Sequence, residues 1–322
     1  MNISPNKNEA PPIVLAFAGS DPTSGAGLQA DMLTLASLGC HPVTVVTAIT
    51  VQDTAGVEDI LPMSADWVAD QARALLEDMP IAAFKIGMLG SVETIAAIAE
   101  IIADYPDIPL VLDPVLASGR GDAFTDDDMI EAINTLLLPQ TTILTPNSLE
   151  ARRLVQQPDE DQGDADDQGD QDLHNADSPA DTPSAPAPDL AQCAHALIDA
   201  GCEYVLITGT HEDTEQVVNT LYGSHGVVRT DRWERLPGSY HGSGCTLAAA
   251  IAAHLAHGID LAEAVVGAQE YTWQSLAAGF RPGMGQFIPD RMFWSHDIDD
   301  EDEEKKEEQA ASAGKPAINN KH

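Results

Sequence analysis

Short β-branched runs alternating with helix-forming segments constrain this chain more than any other feature. Residues 13–18 (IVLAFA) read as a buried strand, stopped by the turn signals of Gly19-Ser20-Asp21-Pro22. Ser24-Gly25-Ala26-Gly27 then leads into a helical stretch that ends at Gly39, the two glycines serving the helix start. The alternation continues with strands at 43–50, 83–87, 109–112 and 142–145, and helices at 65–78, 92–104, 126–137 and 147–155. A polar break from Gln52 to Gly56 follows the second strand. Strands separated by helices need crossover connections, so they predict a parallel sheet covered on both faces.

The pattern stops at residues 156–189, which hold eleven acidic and no basic residues and almost no large apolar ones. Such a segment cannot bury enough surface to offset its ordering entropy and is expected to be disordered. The α/β pattern then resumes in phase. It gives a helix at 190–200, a strand at 203–208, a hairpin of 216–222 and 226–234 turning at residues 223–226, and a last helix at about 260–279. The acidic segment therefore reads as an insertion in a surface loop of one domain spanning 13–290, because closure entropy grows slowly with loop length. Residues 1–12 and the acidic tail 291–322 are expected to be disordered ends.

With 15 basic and 52 acidic residues the net charge is −37, and −21 remains outside the insertion and the segment from 297 onward. Phosphate backbones and anionic membranes repel such a surface, which argues against nucleic-acid and lipid partners. The same surface suits a protein working at high salt, where self-repulsion is screened. No run approaches the ~18 apolar residues of a membrane span, and the N-terminus shows no export signal. Four cysteines without a CxxC pair or metal-ligand spacing read as free thiols, so the expectation is a soluble, cytoplasmic protein.

One stretch points to chemistry. Gly242-Ser243-Gly244-Cys245-Thr246 opens an alanine-rich run, Leu247 to His257, that ends at Gly258, a natural helix C-cap. The glycines thus stand at a helix N-terminus, where free amide N–H groups and the positive dipole end face a bound anion. Cys245 lies in the first turn, a place that lowers a thiol pKa. The alternative is a small-residue turn before a buried helix with a core cysteine.

Several further stretches occur in one family's order: AGSDPTSGAGLQAD (18–31), TAITVQDTAGV (47–57), FKIGML (84–89), LDPV (112–115), LTPNSLEA (144–151) and HGSGCTLAAAIAAHLAHG (241–258). Together they resemble the bacterial hydroxymethylpyrimidine/phosphomethylpyrimidine kinases of thiamine biosynthesis, within the ribokinase-like superfamily, over about residues 13–290. The resemblance implies a three-layer α/β sandwich with a mostly parallel central sheet flanked by helices, using ATP and Mg²⁺. It implies that Gly242, Gly244 and Cys245 form the catalytic anion hole, with Cys245 as general base for a hydroxymethyl group. Gln52 would hydrogen-bond the aminopyrimidine, since an amide offers donor and acceptor together; otherwise it is a polar loop residue. Asp21, Ala18, Gly19 and Met88 would line the same pocket. Ser243, Thr208 and Asn147 fall on nucleotide and phosphate positions, and Asp113 and Glu150 on the acidic positions associated with Mg²⁺. Asn147 and Glu150 also fit a helix N-cap with its capping-box partner.

One departure stands out. Family members often carry a lysine–glycine–glycine run where this chain has Thr208-Gly209-Thr210. A threonine hydroxyl hydrogen-bonds a phosphate without neutralising it, so Mg²⁺ or another basic residue must compensate. Arg120, in the loop 116–122, is a candidate to close over the site, whereas Lys85, inside a strand, reads as structural and His241 carries no assigned role. The expected activity is phosphorylation of 4-amino-5-hydroxymethyl-2-methylpyrimidine to the monophosphate and then the diphosphate, by a protein that the resemblance suggests is a homodimer. The rivals are a pyridoxal kinase and a non-catalytic ligand-binding protein on the same scaffold.

Overall fold

The first apolar run forms β1 (Ile13–Ser20), with every residue from Val14 to Gly19 buried. Its side chains alternate between two cores: Leu15 and Phe17 join one hydrophobic cluster, while Val14 joins another. A strand buried on both faces needs a helix layer on each side. The computed structural model describes residues 10–117, 124–156 and 188–296. Residues 1–9, the insertion from 157 to 187, the tail from 297 and the loop 118–123 with Arg120 lie outside the described residues. The expectations of disorder and the closing role for Arg120 lie there with them.

From β1 the chain passes through α1 (Gly27–Ser37) to β2 (His41–Gln52), and then to β3 (Val57–Pro62), α2 (Ala65–Asp78), β4 (Ile81–Ile86) and α3 (Val92–Ala103). β5 (Leu110–Leu112), α4 (Asp127–Ala132), β6 (Ile143–Leu144) and α5 (Ser148–Val155) follow. After the insertion come α6 (Leu190–Asp199), β7 (Tyr204–Ile207), β8 (Gln216–Gly223), β9 (Gly226–Glu234), α7 (Ser243–Ala256) and α8 (Leu261–Ala277). The nine strands form one sheet in the order β3-β2-β1-β4-β5-β6-β7-β8-β9. The pairs from β2 through β7 are parallel, and β3, β8 and β9 add antiparallel margins.

Two helix layers complete the sandwich. Helices α2 to α6 pack on the face carrying Phe17, Phe84, Leu110, Leu112 and Val205. Helices α1, α7 and α8 pack on the face carrying Val14, Ala83, Val111, Ile143 and Leu206. Burying each large apolar side chain of this kind contributes about 1.5–3 kcal/mol, so the two cores hold the layers in register. Helix α7 is buried nearly all round, with Ala248 to Ala253 fully inaccessible. Its small side chains bring its backbone close to β4 and β5.

The structure departs from the sequence expectation in three places. β3 was not expected: its sequence, VEDILP, carries two acids and a proline, and its residues are half-buried or exposed. Those are the marks of an edge strand protected against further pairing, and they hide its apolar pattern. The expected helix 126–137 leaves α-geometry after Ala132, continuing as a π-helical turn, Ile133–Leu137, and a 3₁₀ turn, Leu138–Gln140. In addition, residues 291–296, expected to open the disordered tail, carry described structure. Arg291 is 3% exposed and Phe293–Ser295 forms a 3₁₀ turn, so Arg291 is packed into the body and ordered structure continues past it.

Candidate active site

The carboxyl ends of the parallel strands open into a cleft of about 1050 Å³. Ligands bind in open α/β sheets at such edges, and this one gathers all thirteen residues singled out above. Ala18, Gly19 and Asp21 come from the end of β1 and the loop after it, Gln52 from the end of β2, and Met88 from the loop after β4. These five, with Val57 of β3, line the cleft on the β1–β4 side of the sheet, one lobe of it. Thr208, His211, Asn219, Trp233, Gln269 and Trp273 line it on the β7–β9 side, the other lobe. Asp113 follows β5, Asn147 and Glu150 open α5, and Gly242 to Cys245 open α7 between the lobes.

The turn into α7 is built as the glycine pattern requires. Gly242 is the N-cap, with φ +87°, and a Cβ there would collide with the carbonyl of Gly25. A Cβ at Gly244 would lie 3.6 Å from Asp113 Oδ1, so the first turn of α7 stands against that carboxylate. The loop that presses on Gly242 is held by Asp21, whose carboxylate accepts from Thr23 N and Oγ1 (both 2.8 Å to Oδ1) and from Ala26 N (2.6 Å). His241 Nε2 lies 2.9 Å from Asp21 Oδ2. Burial pushes the Asp21 pKa up, but these bonds outweigh it and hold it below its ordinary value. Asp21 thus fixes the loop, and His241 gains a partner that sequence reasoning left unassigned.

Asn147 and Glu150 form the capping box of α5. Asn147 Oδ1 accepts from the amides of Leu149 and Glu150 (both 2.9 Å), and Glu150 Oε2 accepts from Asn147 N (2.9 Å). Thr208 sits beside them, its amide donating to Pro146 O and its carbonyl accepting from Ser148 N. The structural alternative for this pair is therefore realised, and both residues still face the cleft.

Lys85 is the largest surprise. It is fully buried in β4, with Nζ 3.0 Å from Asp31 and 4.0 Å from Asp113 Oδ2. Burial lowers its pKa, but Asp31, Cys245 and Asp113 outweigh this and hold it above the ordinary lysine value. The acids around it are less well matched. Burial pushes Asp31 up to about 6 against the pull of Lys85, and raises Asp113 against Lys85 and the neighbouring Cys245 thiol. Burial and the charge of Asp113 push Glu150 up to about 8. Cys245 corrects the expectation of a lowered thiol pKa. Burial pushes it up to about 12; Lys85 pulls it down, while Asp113 and Asp31 raise it. Withdrawal from water outweighs the helix dipole, whose effect is worth no more than about 2 kcal/mol.

Burial is the largest cause of each of these upward shifts, so the acids and the thiol are held away from water around a single ammonium. Asp113 Oδ2 is buried without a hydrogen-bond partner, which suits an oxygen awaiting a cation. Among the described residues no group of three or more His, Cys, Asp or Glu could hold a metal by itself. Mg²⁺ at phosphoryl-transfer sites takes one or two carboxylates and completes its shell with phosphate oxygens and water, and Asp113 with Glu150 fits that pattern. Glu150 also sets a pH dependence. A carboxyl that holds its proton more tightly folded than unfolded gives stability that is full below the unfolded pKa of 4.5 and lost as pH rises through about 8. The ligand-free protein is thus expected to lose urea resistance between about pH 5 and about pH 8, and Glu150→Gln to flatten that slope. Equal slopes in the two proteins would contradict the assignment.

A parallel sheet with its ligand cleft at the strand ends, a glycine-rich helix start and two carboxylates beside it define a ribokinase-like small-molecule kinase scaffold. Comparison narrows the class. The family model described as phosphomethylpyrimidine kinase matches residues 21–182 and 172–290, and the chain belongs to that family. A hydroxymethylpyrimidine/phosphomethylpyrimidine kinase of Streptomyces coelicolor is 35% identical over 286 residues, covering 88% of this chain and 95% of that protein. Among solved structures, a phosphomethylpyrimidine kinase from Clostridium difficile matches with a TM-score of 0.64 and 30% identity, over 82% of this chain and 99% of that one. The pyridoxal kinase from Staphylococcus aureus in complex with AMP-PCP matches with a TM-score of 0.73 and 26% identity, over 89% and 95%.

Sequence reasoning missed the second half of Asp21's role, the Lys85 cluster and Arg291. Arg291 donates from Nε to Thr246 Oγ1 (3.0 Å), from Nη1 to Ser24 O (3.2 Å) and from Nη2 to Gly25 O. A buried lysine inside an apolar strand, FKIGML, was the available signal for the first cluster. Nothing local marks Arg291.

Proposed function

We propose that this chain transfers the ATP γ-phosphoryl group to the hydroxymethyl of 4-amino-5-hydroxymethyl-2-methylpyrimidine, and then phosphorylates the monophosphate to the diphosphate. The observation that carries the reading is the first turn of α7, Gly242 to Cys245, set against Asp113 between two lobes of one cleft. Phosphoryl transfer needs positioning and charge neutralisation rather than covalent chemistry; the α7 turn supports the first, and a metal held at the carboxylates would supply the second. The amides of α7 face the transferring group, with Ser243, Thr208 and Asn147 hydrogen-bonding nucleotide phosphates. Asp113 and Glu150 would hold Mg²⁺, which neutralises phosphate charge when bound. Cys245, in its thiolate form, accepts the proton of the attacking hydroxyl. Gln52 pairs with the aminopyrimidine in the lobe walled by Ala18, Gly19 and Met88. Among the described residues the lysine and arginine lining the cleft are Lys85 and Arg235, and Arg235 holds the carbonyls of Thr210, Glu212 and Thr214. Lys85 is fully buried and paired with Asp31, so in this reading the metal compensates for the lysine absent at Thr208.

A cytoplasmic setting belongs to the same reading, supported by four free cysteines, as does a homodimer, supported by the family resemblance. No helix among the described residues is long and apolar enough to cross a membrane.

Pyridoxal kinase is the second reading, favoured by the Staphylococcus aureus neighbour. Product analysis with ATP and Mg²⁺, offering the pyrimidine and pyridoxal in parallel at low and molar KCl, separates the two. Sequential monophosphate and diphosphate from the pyrimidine is the expected result, with a gain at high salt if the acidic surface is an adaptation to it. Turnover of pyridoxal alone would move the substrate assignment. Turnover of neither would leave a non-catalytic ligand-binding protein.

A further inference from the structure

The chain beyond α8 forms part of the cleft. Phe280 pairs with Ile288 in an antiparallel bridge, closing a loop between them. One side of this loop joins the segment that leads into Gly242: Phe287 N donates to Ser239 O (2.9 Å), and His241 N donates to Phe287 O (2.8 Å). The other side joins the turn after Gln52, where Gln286 N donates to Thr54 O (2.8 Å) and Gly285 N to Thr54 Oγ1 (3.0 Å). The contact at Gly285 is so close that a Cβ there would overlap the Thr54 carbonyl. The loop is therefore a strap that ties the β2–β3 turn to the α7 entrance. Gln286 lines the cleft between them; its Nε2 is spent on Ser239 Oγ (2.6 Å). Its Oε1 accepts no hydrogen bond from the described residues.

We propose that Gly285 positions Gln52 by clamping Thr54, and that Gln286 is a specificity-determining residue whose Oε1 accepts from the exocyclic amino group of the substrate ring. The inference rests on the reading of this lobe as the aminopyrimidine site. A carbonyl acceptor favours an amino substituent, a donor, over the aldehyde of pyridoxal, which only accepts. The strap thus adds a second amide to Gln52, so that ring recognition is shared between β2 and the C-terminal chain.

Steady-state kinetics of the full chain test this with two variants in the strap. Gly285→Ala is expected to raise KM for the pyrimidine by about tenfold with KM for ATP changed less than about twofold, since displacing a positioned group by ~1 Å costs up to ~10²-fold. Gln286→Leu is expected to raise the pyrimidine KM and narrow the preference for pyrimidine over pyridoxal. Unchanged pyrimidine KM in both variants would overturn the inference while leaving the kinase reading intact. So would both KM values rising together with a lowered Tm, which would make the strap a support of the fold alone. Absence of pyrimidine turnover in the unaltered chain would overturn the substrate reading and the inference with it.

Discussion

Cys245→Ala is expected to slow the first phosphorylation by about 10²–10⁴-fold, the usual contribution of a general base, and the second far less. The first acceptor is an alcohol that must lose its proton as the bond to phosphorus forms. The second acceptor is a phosphate already ionised near neutral pH, which needs no base. Both steps share the α7 amides, the carboxylates and the nucleotide, so loss of positioning would slow them alike. The pH profile adds a second reading of the same group. With the thiol pushed up to about 12, the thiolate fraction below that value rises with pH. The first step is expected to climb by up to about tenfold per pH unit through neutrality, while the second stays flat. In Cys245→Ala the climb should vanish. Separate single-turnover measurements of the two steps, in both proteins and across pH, check the whole set. Equal losses in the two steps would show that Cys245 only shapes the turn.

Lys85→Met is expected to cost about 3–5 kcal/mol of folding stability, the usual result of removing one partner from a buried ion pair. The magnitude follows from where the charges lie. Lys85 and Asp31 are both fully inaccessible, and Asp113 is 4 % exposed, so water cannot take over when the ammonium is lost. Asp113 Oδ2 already lacks a hydrogen-bond partner and Asp31 Oδ1 lies against the Lys85 ammonium, which leaves no spare donor to compensate. Adding Asp31→Asn to Lys85→Met removes the orphaned charge and should recover part of the loss, a non-additivity that marks direct coupling. Urea unfolding of the two single variants and the double variant measures it. A loss below about 1 kcal/mol, the scale of an exposed pair, would mean that water reaches the cluster.

Much of the architecture was legible because the parallel strands are buried on both faces, which leaves compact apolar runs such as IVLAFA between helical stretches. β3 was hidden because an edge strand is selected for charge and proline, which erase the signal of a strand. The glycine turn at 242 was legible because only a residue without a side chain fits the left-handed N-cap against Gly25. The thiol of Cys245 was misjudged because its neighbours in sequence say where it sits on α7, while its pKa is set by burial among Lys85, Asp113 and Asp31, contributed by β4, the loop after β5 and α1. Asn147 and Glu150 illustrate a different limit: the spacing that fits a metal-binding motif is the spacing of a capping box, and the fold uses it as one.

The guanidinium of Arg291 bears on where this domain ends. The family match stops at residue 290, one position short of the side chain that joins Thr246 to the carbonyls of Ser24 and Gly25. Cutting the chain at that border would leave a hydroxyl and two carbonyls behind the α7 entrance without their common donor, so the folded unit must be drawn past the border of the family match.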